Sequence, residues 1–333
     1  MPDENYFTFL PLAVFMTINS TAGCIGNFIM VVATIRTSRF RMPCHILIGL
    51  SCFADMIHQS GQFPYCYQFF ADEFSTQERC FWILLVPLLG ANLGGPIHLS
   101  LGIDRLLAIK FPLKYRHLQY VHCYYVMALL AFPCAFTATV LSLAFVNRDP
   151  NMNTTCAIPL GMNGISMQVF TYGSYAIYIP VIFVYLFAFY LLNKSSTSKK
   201  FRSVYISIFV TVMFVVCGWL TTTLTNTFSY ALSPDPFVQM VIQIYAGIAV
   251  NFGMTCNIFI FYTINHEYRI AIKNLFGWIR QTRQLEMSTS TVQPISSGMN
   301  AKGSRDRRKS SRMSTTTTGS VANLEQRKMA WID

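Results

Sequence analysis

The chain has 333 residues, of which 53% are hydrophobic and only 12% charged, and its formal net charge is +11. An average soluble domain is roughly 25% charged, so the composition excludes a water-soluble globular fold for most of the chain. Lys and Arg are gathered in alternate loops and a tail, a pattern of membrane topology that needs no nucleic-acid partner to explain it.

In chain order, residues 1–6 form a short N-terminal segment, and residues 5–35 contain no Asp, Glu, Lys or Arg. That run is too long for the apolar core of a signal peptide and has no basic segment before it, so it is read as the first span. Residues 42–71 contain Asp55 as their one charged residue, and residues 80–103, 117–147, 150–193, 203–234 and 236–266 contain none. A spanning helix needs about 20 predominantly apolar residues. Each of the seven runs is long enough, and the 150–193 run also has room for a loop. The expected fold is an all-α membrane protein. A seven-transmembrane helix bundle with a short amphipathic eighth helix occupies 7–278, and a disordered Ser/Thr-rich tail occupies 279–333.

Loop charge sets the orientation. Residues 36–41, 105–116, 194–202 and those after 268 carry 23 of the 25 Lys and Arg residues, whereas the opposite side carries Arg79 and Arg148. The positive-inside rule puts the first set in the cytoplasm, with the N-terminus outside and the C-terminus inside.

An ionisable group inside a span is costly unless it faces partners or water, so Asp55 is a functional candidate. Asn27 and Asn257 also fall within spans, and the three residues fit a polar cluster in the bundle core. Plain hydrogen bonding between helices is the alternative reading.

Several stretches together resemble the rhodopsin-like (class A) G-protein-coupled receptors, over about residues 6–278. They are Gly26-Asn27 in the first span, "LSCFAD" ending at Asp55 in the second, and Cys80 standing 25 residues before Arg105. "NIFIFYTINHEYRIAI" resembles the family's "NPxxY" run into a short amphipathic helix, with Asn257 in the Asn place, Ile258 for Pro and Phe261 for Tyr. "GIDRLLAIKFPLKY", with Leu106 where Tyr is usual, is most similar to the nematode serpentine chemoreceptors of class SX.

The resemblance implies a receptor that binds a ligand from outside and activates a heterotrimeric G protein, catalysing nothing covalent and using no cofactor or metal. It makes Asp104 and Arg105 the coupling switch: Asp104 holds the always-charged guanidinium in a resting arrangement that a partner helix can replace. It implies a Cys80–Cys156 disulfide on the oxidising side of the membrane, with Cys66 an alternative partner. Asn153, in the outer "NTT", is the expected glycosylation acceptor, whereas "NST" at Asn19 lies in mid-span and should be inaccessible.

Departures matter too. Span six reads "FVVCGWL", placing Trp219 one position late and lacking the proline that would kink it. No acid stands near Lys199, Lys200 and Arg202, so Arg105 is expected to rely on Asp104 alone, with appreciable ligand-independent signalling. The family's sodium pocket looks thin, with Gly94 and Gly253 at its other positions. Pro87 stands where amine receptors carry an acid, and Asn251 where opsins carry the retinal-linking lysine.

The outer half offers Leu88, Asn92, Tyr175, Trp219, Thr223, Asn226 and Gln243 as a ligand pocket suited to a small, mostly neutral molecule; the same residues also suit simple helix packing. A neuropeptide is the alternative ligand, given an outer side with seven Asp or Glu against two Arg. "RRKSS" makes Ser310 and Ser311 kinase sites and the tail an arrestin partner. The basic loops face lipid headgroups or the G protein. The expected location is the plasma membrane, including that of a sensory cilium. A channel or transporter is the rival from another class, disfavoured by the lack of inverted repeats or paired broken helices. An intramembrane enzyme is weaker still, since the histidines at 45, 58, 98, 117, 122 and 266 are scattered.

Overall fold

The computed structural model describes residues 4–118, 121–194 and 199–277. Hydrocarbon offers no partner to backbone N–H and C=O groups, so each uncharged run closes its own hydrogen bonds as a helix. The first run becomes α1 (Glu4–Arg36), followed by a 3-10 turn (Ser38–Arg41). The second becomes two helices, α2 (Pro43–Ser60) and α3 (Gln62–Ala71). The rest of the chain forms α4 (Gln77–Lys110), α5 (Pro112–Leu118), α6 (His122–Val146), α7 (Ile165–Lys194), α8 (Lys199–Leu232), α9 (Pro236–Thr255) and α10 (Asn257–Ile264). Residues 266–277 are helical as well and bury Tyr268, Ala271 and Ile272; they are called α11.

Six of the spans are long and apolar enough to cross a membrane by length and composition. The seventh, α2–α3, is more polar and breaks at Gly61. A Cβ there would lie 2.6 Å from Pro87 Cβ and 2.9 Å from Ile158, so only glycine lets α4 and the 147–164 connection come this close. At about 1.5 Å per residue, the 34 residues of α4 extend about 50 Å, well beyond the roughly 30 Å hydrocarbon core. Its last turns, with Asp104 and Arg105, therefore reach the level of the basic loops.

Helix α4 is the axis of the bundle, packing on α2, α6 and α7, while α8 packs mainly on α9 and α1 on α2 and α9. Prolines fall inside α1 (Pro11), α4 (Pro87, Pro96), α6 (Pro133) and α7 (Pro180), but not inside α8. The α8–α9 pair is held at backbone distance. A Cβ on Gly218 would sit 2.7 Å from the Ala249 carbonyl oxygen, and one on Gly253 would sit 2.9 Å from that of Phe214. Small residues at such seams let helices gain contact where lipid provides no hydrophobic drive.

The face opposite the basic loops is closed by the 147–164 connection. β1 (Ser75–Thr76) pairs antiparallel with β2 (Asn153–Thr154), Ser75 opposite Thr154 and Thr76 opposite Asn153. Cys80 and Cys156 are joined by a disulfide and fully buried. Gln68 Oε1 accepts the Cys156 N–H at 2.6 Å, and Gln77 Nε2 donates to the Gly161 carbonyl at 3.0 Å. Ile158 and Met162 are thereby pressed into the mouth of the bundle, each 4% exposed.

Candidate functional site

Two polar constellations lie inside this apolar frame. The first occupies the basic end of α4. Its chain stops at Phe111, and Pro112, with its preset φ at the first helical position, starts α5, which swings Tyr115 back beneath α4. Asp104 is fully buried and Arg105 is 5% exposed. Arg105 Nε donates to Asp104 Oδ2 at 2.8 Å, and a terminal guanidinium N–H donates to the same oxygen at 2.5 Å. The Tyr115 hydroxyl closes the figure: it accepts from Arg105 at 2.8 Å and donates to Asp104 Oδ1 at 3.0 Å.

The guanidinium carbon also lies 5.7 Å from the Tyr115 ring centroid and 5.6 Å from that of Phe201 on α8. Both contacts are within cation–π range. Burial, opposed by the Arg105 charge and reinforced by Asp104, holds the Tyr115 phenol above its ordinary value, so it stays a neutral donor. The expectation that Arg105 relies on Asp104 alone is thereby corrected. Where no acid stands on α8, a tyrosine from the loop and a phenylalanine from α8 share the work. The spacing of Tyr115 from Arg105 was visible in the sequence, but not the turn at Phe111 that points it home.

The second constellation joins α1, α2, α9 and α10. Asn257 Nδ2 donates to Asp55 Oδ2 at 2.7 Å and to Asn27 Oδ1 at 3.0 Å. The three residues therefore meet, as the sequence reading placed them. Two further members carry no charge and went unremarked. Gln59 accepts from Asn27 Nδ2 at 3.3 Å and donates to Thr255 Oγ1 at 2.8 Å. Gln59 lies one turn after Asp55 on the same helix face, the one signal that could have found it. Asp55 Oδ1 faces Gly94, where an added Cβ would lie 3.7 Å away, whereas Gly253 packs on α8.

The seven proposed pocket residues are less coherent. Leu88, Asn92, Trp219 and Thr223 are buried. Asn92 donates to the Leu88 carbonyl and Thr223 to that of Trp219, each along its own helix. Tyr175 pairs with Thr227, and Gln243 with Ser229, both outside the set. Trp219 instead gathers residues not foreseen: Tyr178 stacks on it at 5.8 Å, with Phe170 at 5.8 Å and His58 at 5.3 Å. Trp219 thus faces α7, through Tyr178 and Phe170, and α2, through His58. Asn153 is exposed and Asn19 is 7% exposed. Cys66 is a free, buried thiol. Ser310 and Ser311 lie outside the described residues.

A search of the curated proteins finds no match. A family model described as serpentine type 7TM GPCR chemoreceptor Srsx matches residues 20–276, which include the second half of the first span, all the later spans, the Cys80–Cys156 bridge and both polar constellations. The chain therefore belongs to the Srsx family of serpentine seven-transmembrane chemoreceptors and is a multi-pass membrane protein.

Proposed function

We propose that this receptor binds a small, mostly neutral molecule on its disulfide-bearing side and activates a heterotrimeric G protein on its basic side. The observation that carries the reading is the Asp104–Arg105–Tyr115 triangle at the basic end of α4. A buried cation held by one carboxylate and one hydroxyl has two arrangements open to it. In one it is closed on its own helix and loop; in the other it is released to the backbone carbonyls of an inserted partner helix. Asp55, Asn27 and Asn257 form the link between the outer half of the bundle and this end. The basic loops fit a cytoplasmic orientation in the plasma membrane, with Asn153 outside and glycosylated. Ser310 and Ser311 would serve a kinase and an arrestin.

The test uses a G-protein activation reporter at matched surface expression. Tyr115→Phe should raise the ligand-free signal, and adding Arg105→Ala should abolish that rise. A signal indifferent to Arg105 in both backgrounds would sink the coupling role, and ion flux would then be measured. For the ligand, Trp219→Ala should abolish the response to an agonist found by screening while leaving the Tyr115→Phe basal signal in place.

A further inference from the structure

Arg148 stands at the start of the 147–164 connection, and its side chain turns back into a box of aromatic rings from α4 and α6. The guanidinium carbon lies 3.9 Å from the ring centroid of Phe145, 4.9 Å from that of Trp82 and 5.6 Å from that of Phe81. All three distances are within the roughly 6 Å range of a cation–π contact. The rings also brace one another edge to face, at centroid separations of 5.4, 5.9 and 6.4 Å. Phe81 is buried, whereas Trp82 and Phe145 are 51% and 48% exposed, so the box has a closed floor and two walls that reach the surface.

The box lacks hydrogen-bond acceptors. Nε and Nη1 of Arg148 are buried with no hydrogen-bond partner in the protein. Glu78 Oε1 stands 3.7 Å from Nε, which gives charge complementarity but no hydrogen bond. A guanidinium is all donors, and burying donors unmet costs free energy. A quaternary ammonium carries the same charge and no donor, so the same rings and the same carboxylate suit it without that cost; three-ring cages are how such cations are recognised. The Arg148 side chain can also leave without taking the backbone with it. The next residue, Asp149, is tied down separately, its N–H donating to Gln77 Oε1 at 2.8 Å and its carbonyl accepting from the Glu78 N–H at 3.2 Å. We propose that Phe81, Trp82 and Phe145 form a binding site for a quaternary ammonium group, either the choline headgroup of a phospholipid or a free methylated amine, and that Arg148 fills it as a displaceable internal stand-in.

The site does not depend on the receptor reading, and neither does its test. The wild-type full chain in phosphatidylglycerol nanodiscs is treated with phenylglyoxal, which modifies accessible arginines, and the products are read by mass spectrometry. Tetramethylammonium should speed modification of Arg148 several-fold over sodium at equal ionic strength, while Arg79, already exposed, keeps its rate. In the same nanodiscs, saturation-transfer NMR of the tetramethylammonium methyl protons gives the affinity. Arg148→Ala should tighten it roughly tenfold by removing a tethered competitor, and adding Trp82→Leu should abolish it. Choline-deuterated phosphatidylcholine nanodiscs then identify the source: weakened tetramethylammonium binding assigns the site to the lipid headgroup, and unchanged binding assigns it to a soluble cation, both in accord with the proposal. An Arg148 modification rate indifferent to tetramethylammonium in the wild-type chain, which needs no variant, would overturn it. So would transfer to Arg148→Ala that survives the loss of Trp82.

Discussion

Replacing Tyr115 with phenylalanine removes one oxygen and keeps the ring, so it tests the triangle while sparing the packing around it. The lost hydroxyl makes two hydrogen bonds to charged partners, at 2.8 Å to Arg105 and 3.0 Å to Asp104. Bonds to charged groups contribute about 1.5–3 kcal/mol each, but Arg105 keeps both of its bonds to Asp104 Oδ2. A net loss of about 2 kcal/mol for the resting arrangement is therefore the conservative figure. At 1.36 kcal/mol per decade it shifts the resting-to-active constant about 30-fold, so a receptor ~1% active without ligand becomes about a quarter active. The assay is ligand-free G-protein activation at matched surface expression, with Asp104→Asn alone and combined to complete a double-mutant cycle. Asp104→Asn and Tyr115→Phe should be non-additive, because each dissolves the same figure. Basal signal within twofold of wild type for Tyr115→Phe, with purely additive behaviour, would refute the idea that this hydroxyl holds the resting state.

Other outcomes follow from the packing. Cys80→Ala or Cys156→Ala should cost about 2–5 kcal/mol, read as a sharp fall in surface display, since Gln68, the β1–β2 ladder and Ile158 are all organised around that bridge. Gly218→Val drives side-chain atoms against the Ala249 carbonyl and should lower the midpoint of thermal unfolding in detergent by a loss of about 1–3 kcal/mol. Gln59→Leu removes the hydrogen bonds of Gln59 to Asn27, Thr255 and the Asn251 carbonyl, while Asn27 keeps Met254 and Asn257 and Thr255 keeps the Asn19 and Asn251 carbonyls; a loss of about 1–2 kcal/mol should appear in the same melting assay. Asn153→Gln, at an exposed position, should abolish a glycosidase-sensitive gel shift and leave the melting midpoint unchanged.

The helices were legible because absence of charge over 20 or more residues is a constraint that tertiary structure cannot override in a bilayer. The same logic made Asp55 stand out, as an expense that needs a reason, and Asn27 and Asn257 drew notice beside it because they also hold motif positions of the family resemblance. What stayed hidden depends on the third dimension. The need for glycine at the Gly61 break comes from Pro87 and Ile158, residues 26 and 97 positions away. Gln59 and Thr255 bear no charge, and an amide or hydroxyl inside an apolar run has too many ordinary explanations to be singled out. Tyr115 reads as one more aromatic in a basic loop until the backbone turns at Phe111. The ligand pocket was read from depth along each helix, and depth alone does not say which way a side chain faces; hence Trp219 arrived with Tyr178, Phe170 and His58 around it.

The departures from the family pattern form a consistent set. Without an acid on α8, Arg105 is held by α4 and α5 and meets α8 at the Phe201 ring; among the described residues it forms no ion pair with α8 that would have to break if α8 moved. Without a proline, α8 runs unbroken from Lys199 to Leu232 and has no internal hinge about which to swing. Its seam with α9 has backbone against backbone at Gly218 and again at Gly253, with no layer of side chains between them that could repack. On the receptor reading proposed above, activation is expected to displace the α8–α9 pair together, where a proline-kinked receptor would bend a single helix.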